Sequence, residues 1–487
     1  MNVFFTLDIE KSRYPYKYQA LYHFLKELIL VGKVEAGMRL PSSREMAIKY
    51  GVNRNTVKQV YEMLYADGYV STRKGGGTFV EYSPKKLRLM EKSNKSFQIS
   101  DWAKRIPIDT FKPIKKALIN FDGSGFSPSM ANFPVEDWKK SIYQATRELN
   151  FLMDSDSYDI QGLFPLRESI AAFLYRTRGM NVNPRDIVII NGVMQGIGIL
   201  SQLLINQDDT VVVEEPSFQS IKANFIASGA KLIHVPVEEK GLTVEDWDSR
   251  MIYVTPSHQF PTGHVMKLEE RLKLLHWASE KNAIIIEDDY DSEFQRKGRP
   301  IEPLKVLDYD DRVVYLGTFA KNILPALRIG YVNLPKDLVS KFLLAKNLSG
   351  EYTSSIIEQM ATAIFIKTGR LERHLRRMNR LYAHKYEIFT NTMMDLEFDA
   401  FDWIDTSAGL HLFGSWKHSE LEYDKFEKEC AVQGVTWQSA NAYYSLHTAK
   451  PKVIFGYSHL SEEEIIAGVQ IMKRVFTDQM KINPINK

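Results

Sequence analysis

Three side chains in the second half of the chain have the types and positions needed for chemistry on a carbonyl or an imine. Lys321 stands just past the apolar stretch VVYLGT, in TFAKNILPALRIGY, with Thr318 and Arg328 on either side. A lysine amine adds to an aldehyde to give a Schiff base when it is neutral. A lone lysine after a strand is common and decides nothing by itself. Asp288 closes the apolar run of AIIIEDDYDSEF, and Tyr290 follows two residues later on the same side, because successive side chains of a strand alternate. Three neighbouring acids fit a solvated strand end or a magnesium site equally well. Taken as a set, a Schiff-base lysine, a carboxylate able to hold a ring nitrogen protonated and donors for a phosphate are the parts of a pyridoxal-phosphate site.

A second group of residues near the N-terminus suits another chemistry. Asn53, Arg54, Asn55 and Thr56 open a helical stretch, and Lys58 lies one turn on. In a helix-turn-helix the first residues of the second helix reach base edges, while hydroxyls and amides around them hold phosphates. Arg44 begins the preceding helix and has the fork that pairs with guanine; Ser43 stands beside it. Lys74 and Gly75 fall at a glycine-rich turn that can approach a minor groove or a phosphate. Ser43 and Asn53 also fit plain helix caps, and a solvated surface role stays open for Arg44 and Arg54.

The elements that must carry these residues follow from periodicity. Residues 18–31, YQALYHFLKELILV, repeat apolar side chains at helical intervals and end before Gly32. A short helix in SSREMAIKY, capped by Ser42 or Ser43, ends at Gly51. Asn53 caps a third helix whose Val57, Val60, Tyr61 and Leu64 share a face, and YVSTRKGGGTFV reads as two strands around a glycine-rich tip. Three helices and a two-stranded wing make residues 14–80 a winged helix-turn-helix. Residues 81–98 mix lysine, serine and asparagine without periodicity and read as a charged linker. From residue 99 to 487, short apolar runs (DIVIIN, DTVVVEE, AKLIHVPV, MIYVTP, AIIIEDD, VVYLGT) alternate with helical stretches. That alternation predicts an α/β domain, a mostly parallel sheet with helices on both faces. A smaller C-terminal α+β part begins near Glu351, with AGLHLFGSW and KVIFGYS as strands.

Composition narrows the class. With 487 residues, 44% hydrophobic and 25% charged, the chain fits two or three globular domains. The single cysteine, Cys430, excludes an internal disulfide and any cysteine-rich zinc site; no metal is expected, and a cytoplasmic location is. Residues 1–92 hold 16 Lys or Arg against nine Asp or Glu, a local +7 on a chain of net +3, so the remainder carries −4. A basic segment on a near-neutral chain points to an anionic partner, with nucleic acid first.

The N-terminal stretch LPSSREMAIKYGVNRNTVKQVYEMLYADGYVSTRKGGGTFV resembles the GntR-type winged helix-turn-helix over its whole length. That resemblance implies that Arg44, Arg54, Asn55, Thr56, Lys58, Lys74 and Gly75 touch double-stranded DNA. The stretches YDIQGLFPLRESIAAFL, NGVMQGI, EEPSFQS, TPSHQFPTG, EDDYDSEF and GTFAKNILPALRIGY, in that order, resemble fold-type I aminotransferases of class I and II. The two together are similar to the MocR-type regulators. By that resemblance Lys321 holds pyridoxal phosphate covalently, Asp288 keeps the pyridine nitrogen protonated, Tyr290 reaches the ring 3-hydroxyl and Phe218 stacks on the ring. The phosphate would sit at the helix start Gly192, Val193, Met194, closed by Thr318 and Arg328. The resemblance also implies a head-to-tail homodimer and a regulator that senses the cofactor or an amine condensed with it. The alternative is an active aminotransferase carrying a DNA-binding domain. Two positions depart from the aminotransferase pattern: Ala320 replaces a serine before the lysine, and Ile454 stands where an arginine usually clamps the substrate carboxylate. Lys452 or His447, or Arg373, Arg376, Arg377 or Arg380 after Gly369, are the other cations to consider.

Overall fold

The computed structural model describes residues 14–73, 75–82, 98–107, 117–122, 132–148, 159–238, 241–296, 298, 301–350, 355–406, 408–445 and 450–482. Most of the 81–98 linker and the predicted site residues Lys74 and His447 lie outside the described residues. The chain divides into two compact units, Met1–Gln98 and Ile99–Lys487. Among the described residues no helix is long and apolar enough to cross a membrane.

In the first unit, helices α1 (Lys17–Leu30), α2 (Ser43–Tyr50) and α3 (Arg54–Ala66) precede a hairpin of β1 (Val70–Arg73) and β2 (Gly77–Val80). The boundaries have local causes. Ser42 accepts from the Glu45 amide while the Glu45 carboxylate accepts from the Ser42 amide, a reciprocal box that starts α2. Gly51 ends it at φ 61°, a left-handed conformation glycine adopts without strain. The Asn53 side chain accepts from the Asn55 amide and starts α3. Leu21, Leu25 and Ile29 of α1 meet Met46 of α2, Val57, Val60 and Leu64 of α3 and Val70 and Val80 of the hairpin in one core. Tyr61, predicted on the α3 face, is only half-buried; its hydroxyl donates to the Pro41 carbonyl at 2.6 Å and ties α3 to the entry of α2.

The second unit holds two sheets. The larger has eight strands in the order β4 (Ile187–Ile190), β11 (Gly330–Asn333), β10 (Val313–Thr318), β9 (Ile284–Asp289), β8 (Met251–Val254), β5 (Thr210–Glu215), β6 (Lys231–Glu238) and β7 (Gly241–Leu242). Neighbours from β10 through β6 pair in parallel; β11 runs antiparallel to both β10 and β4, and β7 antiparallel to β6. Strands β4, β8, β9 and β10 are almost wholly buried, which is why they read as unbroken apolar runs. Apolar clusters lie on both faces: one carries Ile197 and Phe225 from the helices Val193–Leu204 and Gln219–Ala227, and another carries Leu274 and Trp277 from the helix Leu268–Glu280.

The smaller sheet has the order β12 (Phe401–Trp403), β13 (His411–Trp416), β15 (Lys452–Gly456), β14 (Val435–Ser439) and β3 (Ile119–Phe121). Here the structure corrects the expectation of a purely C-terminal small part. Strand β3 comes from the beginning of the unit and pairs in parallel with β14, Ile119 opposite Val435. Its three residues gain stability from that pairing and from burying Ile119 and Phe121, the latter against Phe389 and Phe455.

Candidate functional site

Because β4, β5, β8, β9 and β10 point the same way, the residues just past them gather along one edge of the large sheet. Gly192 follows β4, Phe218 follows β5, His258 follows β8, Asp288 and Tyr290 close β9, and Thr318 and Lys321 close β10. Ligands of open α/β sheets bind at such a carboxyl edge. Strands β9 and β10 pair with Asp288 opposite Leu316, two residues before Thr318.

Asp288 is 5% exposed, and burial pushes its carboxyl up to about 7. The Tyr253 hydroxyl donates to Oδ2 at 2.7 Å, while Oδ1 is buried with no partner among the described residues. A buried acceptor of this kind calls for a donor from a ligand. Lys321 is half-buried; desolvation lowers its amine to about 8, opposed by the charge of Asp291. About a tenth of this amine is therefore neutral near pH 7, the form a carbonyl-capturing lysine requires. The Thr318 hydroxyl accepts from the Ala320 amide at 3.1 Å.

Phe218 is the residue before the helix Gln219–Ala227, and one face of its ring stacks on Phe260 at 3.6 Å with the planes 7° apart. Tyr290 stands edge-on to both rings, 5.8 and 5.9 Å away. Tyr443 meets Phe260 edge-on at 4.9 Å. On another flank Gly192, at φ 82°, precedes the helix Val193–Leu204, whose first amides are unpaired within the helix. The exposed Arg328 reaches across to donate to the Asn191 carbonyl at 3.3 Å. A Cβ at position 192 would lie 2.7 Å from Arg328 Nη2, and the positive φ there favours glycine. Amides and guanidinium together suit an anion.

The loop before β15 is tied to the segment carrying Phe218. The Ser217 amide and Lys222 Nζ both donate to the Tyr443 carbonyl, at 3.2 and 2.7 Å, and Lys222 also donates to Ser445 Oγ at 3.0 Å. Gln219 donates to the Ala442 carbonyl, and the Ser445 amide to Glu215. Glu215 and Lys222, 3.2 Å apart and almost wholly buried, anchor this splice. Burial raises the Glu215 carboxyl, but hydrogen bonds from His234 and the Ser445 amide and the charge of Lys222 outweigh it and leave the group below its ordinary value.

Ile454 is fully buried on β15, packed with Phe413 and Ala440 and against Tyr443 and Ile404. The surroundings of Ile454 are therefore apolar. The alternative cations lie elsewhere: Lys452 donates to Ser415 Oγ at 2.6 Å, Arg377 donates to the Asn132 carbonyl, and Arg373 lines a surface cleft with Phe133 and Glu136. Arg376 and Arg380 are exposed on the helix Arg370–Asp395.

The N-terminal candidates behave differently. Arg44, Asn53, Arg54, Asn55, Lys58 and Gly75 are exposed, and Ser43 and Thr56 half-exposed. Arg54 Nε donates to Ser43 Oγ at 3.3 Å, bringing the starts of α2 and α3 together. Lys58, Ser42, Ser43 and Gly77 line a groove of about 470 Å³ together with Arg39, which the sequence reading passed over. Its signal was the side chain just before the Leu-Pro-Ser entry: a Cβ on Gly77 would come within 2.7 Å of Arg39 Nε, so that glycine keeps the guanidinium at the wing.

Residues 17–80 match the family model for bacterial regulatory proteins of the gntR family, and residues 118–452 that for aminotransferase class I and II. The chain is 31% identical over 471 residues to the probable rhizopine catabolism regulatory protein MocR of Rhizobium meliloti, covering 94% of this chain and 93% of that protein. It is 29% identical to the pyridoxine biosynthesis transcriptional regulator PdxR of Corynebacterium glutamicum, covering 91% and 92% of the two chains. Among solved structures it resembles the Pyrococcus horikoshii kynurenine aminotransferase, with TM-score 0.67, 22% identity and 81% and 98% of the two chains covered, which shows the fold. The Thermus thermophilus α-aminoadipate aminotransferase LysN matches with TM-score 0.69 and 21% identity over 79% and 98% of the two chains.

Proposed function

Since the chain belongs to the MocR-type transcription regulators, in which a GntR-type DNA-binding domain is joined to a pyridoxal-phosphate-binding domain of aminotransferase class I and II, we propose that occupancy of the site at the sheet edge controls how the protein engages its operator. The observation that carries this reading is the coexistence of Lys321, Asp288 and Tyr290 with the apolar wall at Ile454. The residues suited to the cofactor are kept, and the clamp for an amino-acid substrate is replaced.

When bound, pyridoxal phosphate supplies an electrophilic carbonyl and an electron sink. In this proposal Lys321 would anchor it covalently, and Asp288 Oδ1 would accept from the pyridine nitrogen. Phe218 would stack on the ring. The helix start at Gly192, Val193 and Met194, with Thr318 and Arg328, would hold the phosphate. Tyr290 would donate to the ring 3-oxygen. The ligand read out is the cofactor itself or an amine lacking a simple α-carboxylate; at most a half-reaction of transamination occurs. The working unit is a cytoplasmic head-to-tail homodimer.

On the DNA side, Arg44, Arg54, Asn55 and Thr56 face base edges, and Ser43, Asn53 and Lys58 hold phosphates. Lys74, which lies outside the described residues, and Gly75 approach from the wing. Coupling requires a ligand that binds two conformations unequally.

The test is the visible absorbance of the purified protein after addition of pyridoxal phosphate. The unmodified protein gains a lysine-bound chromophore that Lys321→Ala loses while circular dichroism stays unchanged. The same band in folded Lys321→Ala removes Lys321 from its role. Operator affinity independent of cofactor loading removes the sensing role.

A further inference from the structure

We infer that His258, oriented by Asp291, is the positioning residue that aims the Tyr290 hydroxyl at the cofactor; this rests on the pyridoxal-phosphate reading of the site. His258 lies in the turn after β8 and is 3% exposed. Its Nδ1 is 2.9 and 3.1 Å from the two oxygens of Asp291 and 3.0 Å from the Tyr290 oxygen. A ring nitrogen offers one proton or one lone pair in its plane, so its protonation decides who donates to whom.

The other nitrogen fixes the choice. Nε2 is buried and has no partner among the described residues. It faces Gly263 and Gly409, where an added Cβ would come within 3.1 and 2.8 Å of it. A proton there would be an orphaned buried donor, which costs more than an unused lone pair. The proton therefore sits on Nδ1, drawn by the Asp291 carboxylate and shared with the Tyr290 oxygen. Tyr290, already accepting from the imidazole, has only its own O–H left to give, and that hydrogen points away from His258. Without the Nδ1 proton, the same O–H turns back onto the imidazole.

Asp291 and Tyr290 come from the turn after β9. His411 of β13 lies 5.7 Å from His258 between ring centres and donates from Nε2 to the Pro261 carbonyl at 2.8 Å. Burial, with the charge of Arg296 adding to it, pushes His411 down to about 3, so it brings no charge. Lys321 is the cation facing Asp291.

A hydroxyl donating to the ring 3-oxygen favours the form in which the lysine-bound nitrogen has lost its proton, lowering the pH midpoint of that loss. Removing Asp291 has two opposed effects: the lost negative charge lowers the midpoint, and the imidazole, no longer anchored, stops holding the Tyr290 hydroxyl toward the cofactor, which raises it. The test is a double-mutant cycle on the full-length protein loaded with pyridoxal phosphate, read as the midpoint of the visible absorbance against pH. In a Tyr290→Phe background only the charge acts, and Asp291→Ala lowers the midpoint. In the unmodified background the Asp291→Ala shift is more positive, by about half a pH unit or more. Equal shifts in the two backgrounds overturn the relay and leave the cofactor reading intact. If Asp291→Ala does not fold, His258→Leu gives the same comparison without removing a charge: the midpoint rises in the unmodified background and stays put in Tyr290→Phe. A rise in both overturns the proposal. Absence of any visible band in the unmodified protein overturns the cofactor reading and this inference with it.

Discussion

The two units solve the problem of presenting polar side chains in opposite ways. The winged helix-turn-helix puts its polar candidates on exposed helix starts, over a core of aliphatic and aromatic side chains. The site at the sheet edge buries its acids and its histidine: Asp288, Asp289, Asp291, His258 and Glu287 are each under 8% exposed, while Lys321 is half-buried and Arg328 exposed. Exposed residues can be exchanged with little effect on the fold. Buried ones are held by partners, and removing a partner disturbs both the chemistry and the stability of the unit.

Arg178→Met is the strongest probe of that contrast. Arg178 is almost wholly buried and bonds Asp289 at 2.7 Å, with the Tyr315 hydroxyl donating to the same oxygen at 2.6 Å. Stripping it leaves a buried carboxylate uncompensated, and the unfolding free energy of the second unit should fall by about 3–5 kcal/mol. The transition of the first unit should not move. Calorimetry on the full chain checks both; an unchanged second transition would mean that water reaches Asp289.

Ile454→Arg should strengthen amino-acid ligands by about 1.5–3 kcal/mol, the usual worth of a charged hydrogen-bonded pair, or roughly tenfold to a hundredfold. Titration of alanine, glutamate and γ-aminobutyrate against the cofactor absorbance reads this directly. Tight binding and rapid turnover of these by the unmodified protein would defeat the apolar-wall argument.

For the exposed region, Arg54→Ala should cost about 1–3 kcal/mol of operator affinity and relax specificity at one position, with no change in the thermal transition of the first unit. Fluorescence anisotropy on operator and mutated operators measures it. Affinity that is lost equally on every sequence would reassign Arg54 to a phosphate.

The mildest probe is pH. Because burial holds Lys321 at about 8, well below its ordinary 10.5, the neutral amine becomes scarcer as pH falls below about 8. The rate at which the empty protein captures pyridoxal phosphate should therefore drop about tenfold for each unit below that point and level off above it. A rate still climbing steeply between pH 8.5 and 10 would show that the lysine is not desolvated.

What the sequence made legible follows from the same contrast. Lys321, Asp288 and Tyr290 stood out as candidates because each lies at or just past the end of a buried apolar strand, where a polar residue is conspicuous, whereas Phe218 came only from the family resemblance. The caps at Ser42 and Asn53 were readable because their partners lie two or three residues away. The three-residue strand β3 was not, since its partner β14 comes late in the chain and so short a run carries no periodicity. Nor was the His258–Asp291 contact, which joins residues 33 apart across two strands. Arg39 was missed because its position depends on Gly77 of the wing.

Strand β3 also sets a timetable for synthesis. The described core of the first unit is complete in sequence once residue 82 has emerged. Strand β3 follows soon after, but β14, the strand it pairs with, ends only at Ser439. At about 5–20 residues per second, the roughly 310 residues between them take on the order of 15–60 s to translate. For that interval the nascent chain carries a complete first unit and a short apolar strand whose partner has not yet been made.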